Sequence, residues 1–279
     1  MKAAIARFLS YLKHERASAE NTLLAYSTDV GQFEQVLSVN TGSPVKPEDL
    51  KPSMVANYAR WLEGQGYRPS TVSRKMAASR AFLIYLEQQE GVISSSTYEV
   101  LHPPPAPRTL PQTLSRDEIH RLIEAPARTG TPRGLRDAAI LGLLYVGGLR
   151  ASEAVGSNLE DVDLDRAMFV RRDTDPLSLG LGIALDPMQD YLRAGRPYLV
   201  KDDKEQALFL NLRGKRLSRQ GLWLVVKRWA AAEGFGAKIS PHTLRHSLIR
   251  HLLDDGKSKR DIQHMLGLSS PNAIRVSSR

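Results

Sequence analysis

Apolar residues recur at three- and four-residue steps through most of the chain, so the reading begins with helices. Ile5, Phe8, Leu9 and Leu12 share one side of a helix over residues 3 to 14. A capping signal at Ser18 to Asn21 starts a second helix, which runs through Leu24, Tyr26, Val30, Phe33 and Leu37. Beyond the turn-rich Ser38 to Pro47, Asp49 to Leu62 gives a third, ended by Gly64 and Gly66, and a fourth runs from Pro69-Ser-Thr71 to about Gln89. Four helices with short connections predict an all-α N-terminal domain over residues 1–100. Leu101-His-Pro-Pro-Pro-Ala-Pro-Arg-Thr-Leu-Pro111 cannot continue a helix, and its prolines favour an extended spacer, so residues 101–114 read as a linker.

A second domain, residues 115–279, opens at the cap Ser115-Arg-Asp-Glu118. Arg136 to Tyr145 is apolar enough for a buried helix and ends in Val146-Gly-Gly-Leu-Arg150, where the glycines permit a tight turn with Arg150 at its lip. Between Val162 and Leu185 the period shortens. Met168-Phe-Val170 and Gly182-Ile-Ala-Leu185 alternate with turn residues and predict a small β-hairpin or meander. Helical spacing returns over Pro187 to Leu199 and Ser218 to Glu233, with a short strand or extended segment at Leu208-Phe-Leu210. The fold class is mainly α: a four-helix N-terminal domain, then a mostly helical domain with a small β-sheet.

Charge narrows the partners. The 279 residues carry a net charge of +9, which favours a polyanion. The chain has no cysteine, which removes disulfides, thiol nucleophiles and cysteine-ligated zinc together. It has no apolar run long enough to span a bilayer and no signal-peptide core, so the expectation is a cytoplasmic protein with no membrane partner. Lysine is absent between Lys75 and Lys201, so the middle of the chain carries its positive charge on arginine. On the fourth helix Arg74, Lys75 and Arg80 surround Met76, Ala77, Phe82, Leu83 and Leu86. That basic side reads either as a solvated face or as a contact to a DNA backbone.

The candidate chemistry lies in Ser240-Pro-His-Thr-Leu-Arg-His-Ser-Leu-Ile-Arg-His-Leu-Leu-Asp-Asp-Gly256. Ser240 suits an N-cap and Pro241 the first helical position, with Leu244, Leu248 and Leu252 four apart. His242 and Arg245 then sit together near a helix start, where the dipole favours an anion such as phosphate. His242 and His246 have the spacing of metal ligands, but no Glu follows His242 and no cysteine completes a site. The reading therefore has no metal, with a metal-dependent phosphodiesterase kept as the lesser alternative.

Gly148-Leu-Arg-Ala-Ser-Glu153, a small β-region and His242-Thr-Leu-Arg-His-Ser247 stand in fixed order. With the leading four-helix domain they resemble the tyrosine site-specific recombinases, the phage-integrase family, most of all its Xer-type members. The resemblance implies a SAM-like core-binding domain followed by a catalytic-type domain, which together hold duplex DNA as a C-shaped clamp. It also implies strand joining through a covalent phosphotyrosyl intermediate with no cofactor, and an oligomer on DNA with like or other recombinase subunits. Carried over by position, Arg150 and Arg245 are the arginines that clamp the scissile phosphate, His242 is the histidine between them, and Glu153 is a supporting acid. Paired guanidinium hydrogen bonds suit that task.

Three positions depart from the pattern. Val170-Arg-Arg-Asp-Thr-Asp-Pro176 occupies the place of the hairpin lysine, a general acid, leaving Thr174 and its neighbours there. Arg171 or Arg172 can supply charge, but arginine scarcely releases a proton. In Leu266-Gly-Leu-Ser-Ser-Pro-Asn-Ala-Ile-Arg-Val-Ser277 the family's second histidine has become Leu268 and its tyrosine nucleophile Ser277. No tyrosine follows Tyr198 as far as Arg279, and only Ser278 and Arg279 follow Ser277, where family members carry a segment that packs into a neighbouring subunit. Losing one transition-state donor commonly costs about 10²–10³ in rate, and losing a nucleophile on the order of 10⁶. The expectation is a DNA-binding recombinase homologue that is catalytically impaired alone. Two alternatives stay open: a recombinase with an unusual or partner-supplied nucleophile, and an accessory or repressor-like subunit.

Overall fold

The structure, a computed structural model, describes the chain apart from residues 17, 19, 103–110, 173–176, 237 and 269–279 and the side chains of residues 21 and 177. It divides into two compact units, Met1–Thr109 and Leu110–Arg279, so the division falls inside the proline-rich stretch.

The first unit holds α1 (Lys2–His14), α2 (Glu20–Thr41), α3 (Pro52–Gly64), α4 (Pro69–Gln88) and the single turn α5 (Ser96–Glu99). Pro52 and Pro69 begin their helices, where the amide that proline lacks has no intrahelical partner to lose. The apolar stripes read from the sequence meet in one core. Phe8 packs on Phe82 with ring centroids 5.4 Å apart, and Phe33 on Tyr58 at 4.8 Å. Leu101, at the start of the expected linker, is buried in this core.

The second unit is built around α7 (Pro132–Val146), whose residues from Arg136 to Tyr145 are all buried. Against it pack α6 (Arg116–Ala127), α9 (Leu185–Asp190) and α12 (Pro241–Asp254). The cap read at Ser115 is a full capping box: Glu118 N–H donates to Ser115 Oγ at 3.2 Å, and Ser115 N–H to Glu118 Oε2 at 2.7 Å. Leu114 N–H donates to Ser247 Oγ at 2.9 Å, which ties the end of the expected linker to α12.

A short α8 (Ala151–Gly156) precedes an antiparallel sheet of β1 (Val162–Asp163), β2 (Met168–Arg171) and β3 (Leu177–Gly180), in the order β1-β2-β3. In the β2–β3 register Phe169 faces Leu179 and Arg171 faces Leu177, and Phe169 and Leu179 join the core. Gly182 to Leu185, expected as a strand, is instead a 3-10 turn at Gly182–Ala184 leading into α9. Its apolar character serves burial, with Ala184 fully buried, and no strand neighbour is offered to it. Past α9 a five-residue π-helical stretch, Tyr191–Gly195, leads to α10 (Arg196–Leu199). Leu208-Phe-Leu210 is buried and, among the described residues, carries an isolated bridge from Leu210 to Arg216, just after the bridge of Ala207 to Asn158. The unit closes with α11 (Arg219–Ala232), α12 and α13 (Lys259–Leu266). Among the described residues no helix is long and apolar enough to cross a membrane.

Candidate functional site

The site forms where the end of α7, the start of α8, β2 and the helices α12 and α13 converge. Gly148 turns the chain with φ +51°, and a Cβ there would lie 2.6 Å from Leu266 Cδ2 and 3.0 Å from Leu248 Cδ2. Only glycine permits that approach of backbone to the two helices. The turn aims the Gly148 carbonyl at α12, where the Arg245 Nη1 donates to it, while Nη2 donates to the Leu266 carbonyl at 3.0 Å. Arg245 thus joins the α7–α8 turn to the end of α13. It is only 6% exposed, and burial, then Arg150, then Arg171 press its pKa down to about 10 against the opposing pull of Glu153.

Arg150 is the N-cap of α8 and is braced by Glu153. Its backbone N–H donates to Glu153 Oε2 at 2.7 Å, and its Nη1 donates to Oε1 at 2.6 Å. The carboxylate therefore fixes both the turn and the guanidinium. His242 is exposed on the first turn of α12, where Thr243 Oγ1 accepts from Ser240 N–H at 3.1 Å. His246 is half-buried, and its Nδ1 is enclosed without a hydrogen-bond partner. Burial first, then His242 and Arg245, lower its pKa.

The structure therefore gathers Arg150, Glu153 and Arg245, with His242 on the same helix as Arg245. Thr174 and Ser277 lie outside the described residues. Leu268 is described and is half-buried against the core. Gly267, at φ +57°, ends α13, and Leu268 N–H reaches back to the Gln263 carbonyl at 3.0 Å. This is a left-handed helix cap whose following position favours an apolar side chain packed on the last turn, and leucine suits that place.

Sequence reasoning ranked Arg171 as one of two possible charges, and the structure separates them. Arg172 is exposed and pairs with Asp161, Nε to Oδ1 at 2.5 Å, and with Glu160 at 3.1 Å. Arg171 is buried beside Gly267, where a Cβ would meet its Nη2 at 2.8 Å. The glycine in Leu266-Gly-Leu268 was the available signal, since it both caps α13 and makes room for a guanidinium.

In the first unit the basic side of α4 resolves differently from its reading. Lys75 is buried and donates to Asp29 Oδ1 at 3.0 Å, with its ammonium 5.5 Å from the Tyr67 ring centroid. It neutralises an acid inside the unit and does not stand on an exposed face. Arg74 pairs with the same Asp29 but keeps half its surface exposed, and Arg80 is exposed over the Tyr98 ring at 5.6 Å.

Two histidines make the second unit sensitive to acid. His251 is buried, with Nδ1 2.8 Å from the Tyr145 hydroxyl, and burial, then Arg116, lower its pKa; His246 is lowered as described above. A histidine lowered in the folded state binds its proton more readily when unfolded. Its stabilising contribution is complete above the unfolded value of about 6.5 and is lost as pH falls from there through the folded pKa. The melting temperature is expected to drop between pH 7.5 and 5.5, and His251→Gln to flatten that profile. A pH-independent profile in the parent protein would refute this.

The second unit thus brings two arginines and a bracing glutamate together beside a small sheet, with a histidine on the same helix as one of the arginines. Residues 112–276 match the Phage integrase family, and residues 5–90 match the Phage integrase, N-terminal SAM-like domain. The chain belongs to the phage integrase family of tyrosine recombinases. It is similar to Tyrosine recombinase XerC of Herpetosiphon aurantiacus, at 36% identity over 283 residues covering 99% of this chain and 90% of the relative. Tyrosine recombinase XerD of Bifidobacterium longum is 34% identical over 280 residues, covering 97% and 90%. Among solved structures, XerA recombinase aligns over 98% of this chain and 91% of its own with TM-score 0.53 and 25% identity. XerH site-specific recombinase bound to difH substrate, in a post-cleavage complex, shares the fold with TM-score 0.71 at 19% identity, over 97% and 80% of the two chains.

Proposed function

We propose that this protein binds duplex DNA through a recombinase-type phosphate clamp and is impaired in strand cleavage on its own. On this reading residues 1–100 are the core-binding domain and 115–279 the catalytic-type domain. Arg150, His242 and Arg245 hold the phosphate and Glu153 positions Arg150. Exposed Arg74 and Arg80 are contacts to the DNA backbone, and the protein works in the cytoplasm within an oligomer on DNA of like or other recombinase subunits.

The observation that carries the reading is the contrast within one site. Arg245 is buried yet charged, tied to the carbonyls of Gly148 and Leu266 beside the braced Arg150, so the anion-holding part is intact. On the other side of Gly267, Leu268 is fastened by its backbone to Gln263 and packs on the core, where the family places a histidine. An alkyl side chain can neither donate to nor protonate a phosphate oxygen. The serine at position 277 lacks the reach of a phenol and is a weaker acid. Membership of the phage integrase family, with XerH site-specific recombinase bound to difH substrate among the proteins that share the fold, supports duplex DNA as the ligand.

The test incubates the purified chain with a pool of nicked duplexes and resolves the products on denaturing and native gels across a salt series. No covalent adduct is expected, while native complexes weaken steeply with salt, by a log–log slope of about −0.9 for each phosphate neutralised. A covalent protein–DNA band would overturn the impairment. An adduct that forms only when an active homologue is added, and that maps to the homologue, is the outcome expected of an accessory subunit.

A further inference from the structure

The strongest unexplained feature of the second unit is the Arg171 guanidinium. Arg171 is 4% exposed, and among the described residues its Nε and Nη1 are enclosed with no hydrogen-bond partner. Among the described residues it forms no ion pair. It borders a cavity of about 270 Å³ whose polar lining includes Ser152, Glu153, Ser157, Asp161 and Arg172. The two carboxylates there are committed elsewhere. Glu153 holds Arg150 at 2.6 Å, and Asp161 holds Arg172 at 2.5 Å and the Asn158 N–H at 2.7 Å.

A buried charge without a counter-charge is costly, and here it stands near two further arginines. Arg245 responds electrostatically to both Arg150 and Arg171, and both disfavour its charge. Three guanidinium groups share one neighbourhood in which Glu153 is engaged by Arg150 and Asp161, across the cavity, by Arg172. Such an excess of cation is stabilised by an anion that brings its own acceptor oxygens. The placement is built rather than incidental. Arg171 ends β2 in register with Leu177, and its tip rests where any residue larger than glycine at 267 would stand, 2.8 Å from that Cβ position. Gly267 follows the Leu266 whose carbonyl Arg245 holds at 3.0 Å. One two-residue step of backbone thus seats both guanidinium groups.

We infer that Arg171 is a third phosphate-binding guanidinium of this site, engaging a phosphodiester oxygen of bound DNA through its fork. This rests on the phosphate-clamp reading and adds to it a residue and a role. Arg171 supplies charge and hydrogen bonds from the hairpin but no proton, because a guanidinium stays protonated throughout the neutral range.

The experiment compares the full chain with Arg171→Gln and Arg171→Lys, and with Arg172→Gln as a neighbouring control. Melting temperature is measured with and without inorganic phosphate at constant ionic strength, and affinity for a labelled duplex is measured across a salt series. Arg171→Gln is expected to melt at or above the parent temperature without phosphate, because it relieves an uncompensated charge. It should lose most of the phosphate-induced gain, and its salt slope should fall by about one. Arg171→Lys should keep the slope and show a smaller phosphate gain, since it keeps a charge without the fork. Arg172→Gln should leave the phosphate gain unchanged.

A lower melting temperature for Arg171→Gln in both buffers, up to failure to fold, would make Arg171 a structural residue and overturn the inference. So would a phosphate gain in Arg171→Lys equal to the parent's. A steep parental salt slope that Arg171→Gln leaves unchanged overturns this inference alone. A flat parental slope removes the clamp reading as well.

Discussion

Replacing Arg245 by Ala is expected to lower the stability of the second unit by about 2–4 kcal/mol and to weaken duplex binding together. The stability loss follows from the two carbonyls that Arg245 serves. Gly148 O and Leu266 O each lose their guanidinium donor, and an unsatisfied buried acceptor costs about 1–3 kcal/mol. Part of that is offset because a charge held at a pKa of about 10 by burial no longer has to be desolvated. The binding loss follows from the same atoms. Once the cross-link is gone, the turn that carries Arg150 is no longer fixed to α13, so both arginines of the proposed clamp are disturbed by one substitution. Urea unfolding and fluorescence anisotropy at several salt concentrations would measure both effects. Equal stability with weaker binding would limit Arg245 to a surface role. The contrast with Arg171→Gln is the informative part: both side chains are buried arginines, but Arg245 has protein acceptors, whereas among the described residues the Arg171 Nε and Nη1 have none.

The second large effect is expected in the other unit. Asp29 is 1% exposed and accepts from the buried ammonium of Lys75 at 3.0 Å and from Arg74. Asp29→Ala removes the counter-charge and leaves Lys75 buried beside the Tyr67 ring. Breaking a buried pair in this way costs about 3–5 kcal/mol, because the remaining charge keeps its desolvation penalty. Stability of the first unit is expected to fall by that amount in chemical denaturation. Replacing both partners, Asp29→Leu with Lys75→Met, is expected to recover most of it, since no charge is then left inside. A double variant as unstable as Asp29→Ala would show that the acid has a role beyond pairing. Lys75 is thereby removed from the DNA-contact face proposed for α4, which rests on Arg74 and Arg80.

Most of the longer helices were legible because they announce themselves locally, whereas α5, α8 and α13 were not read from the sequence. Prolines open α3 and α4, the Ser115 box opens α6, and apolar residues recur at helical spacing through both units. The sheet was legible as a change of period, but Gly182 to Leu185 was misplaced. A short apolar run fits a strand and a buried turn equally well, and only the packing of Ala184 decides between them. The same ambiguity affected Leu208-Phe-Leu210, which is buried but, among the described residues, carries an isolated bridge at Leu210 alone.

By itself the sequence determined the order of helices, the two-part organisation, the family motifs around Arg150 and His242 to Arg245, and the substitutions at 268 and 277. These depend on residue identity and local spacing, which the chain carries in one dimension. The tertiary structure alone decided what each charge does. Lys75 and Arg74 stand side by side in sequence, yet one is buried on Asp29 and the other keeps half its surface exposed. Arg171 and Arg172 are adjacent as well, and one is buried at the edge of a cavity while the other pairs with exposed and buried acids at the surface. Whether a cation is solvated, paired or left waiting for an anion depends on burial and on which distant acceptors fold against it. Those distances are set by packing between elements far apart in the chain.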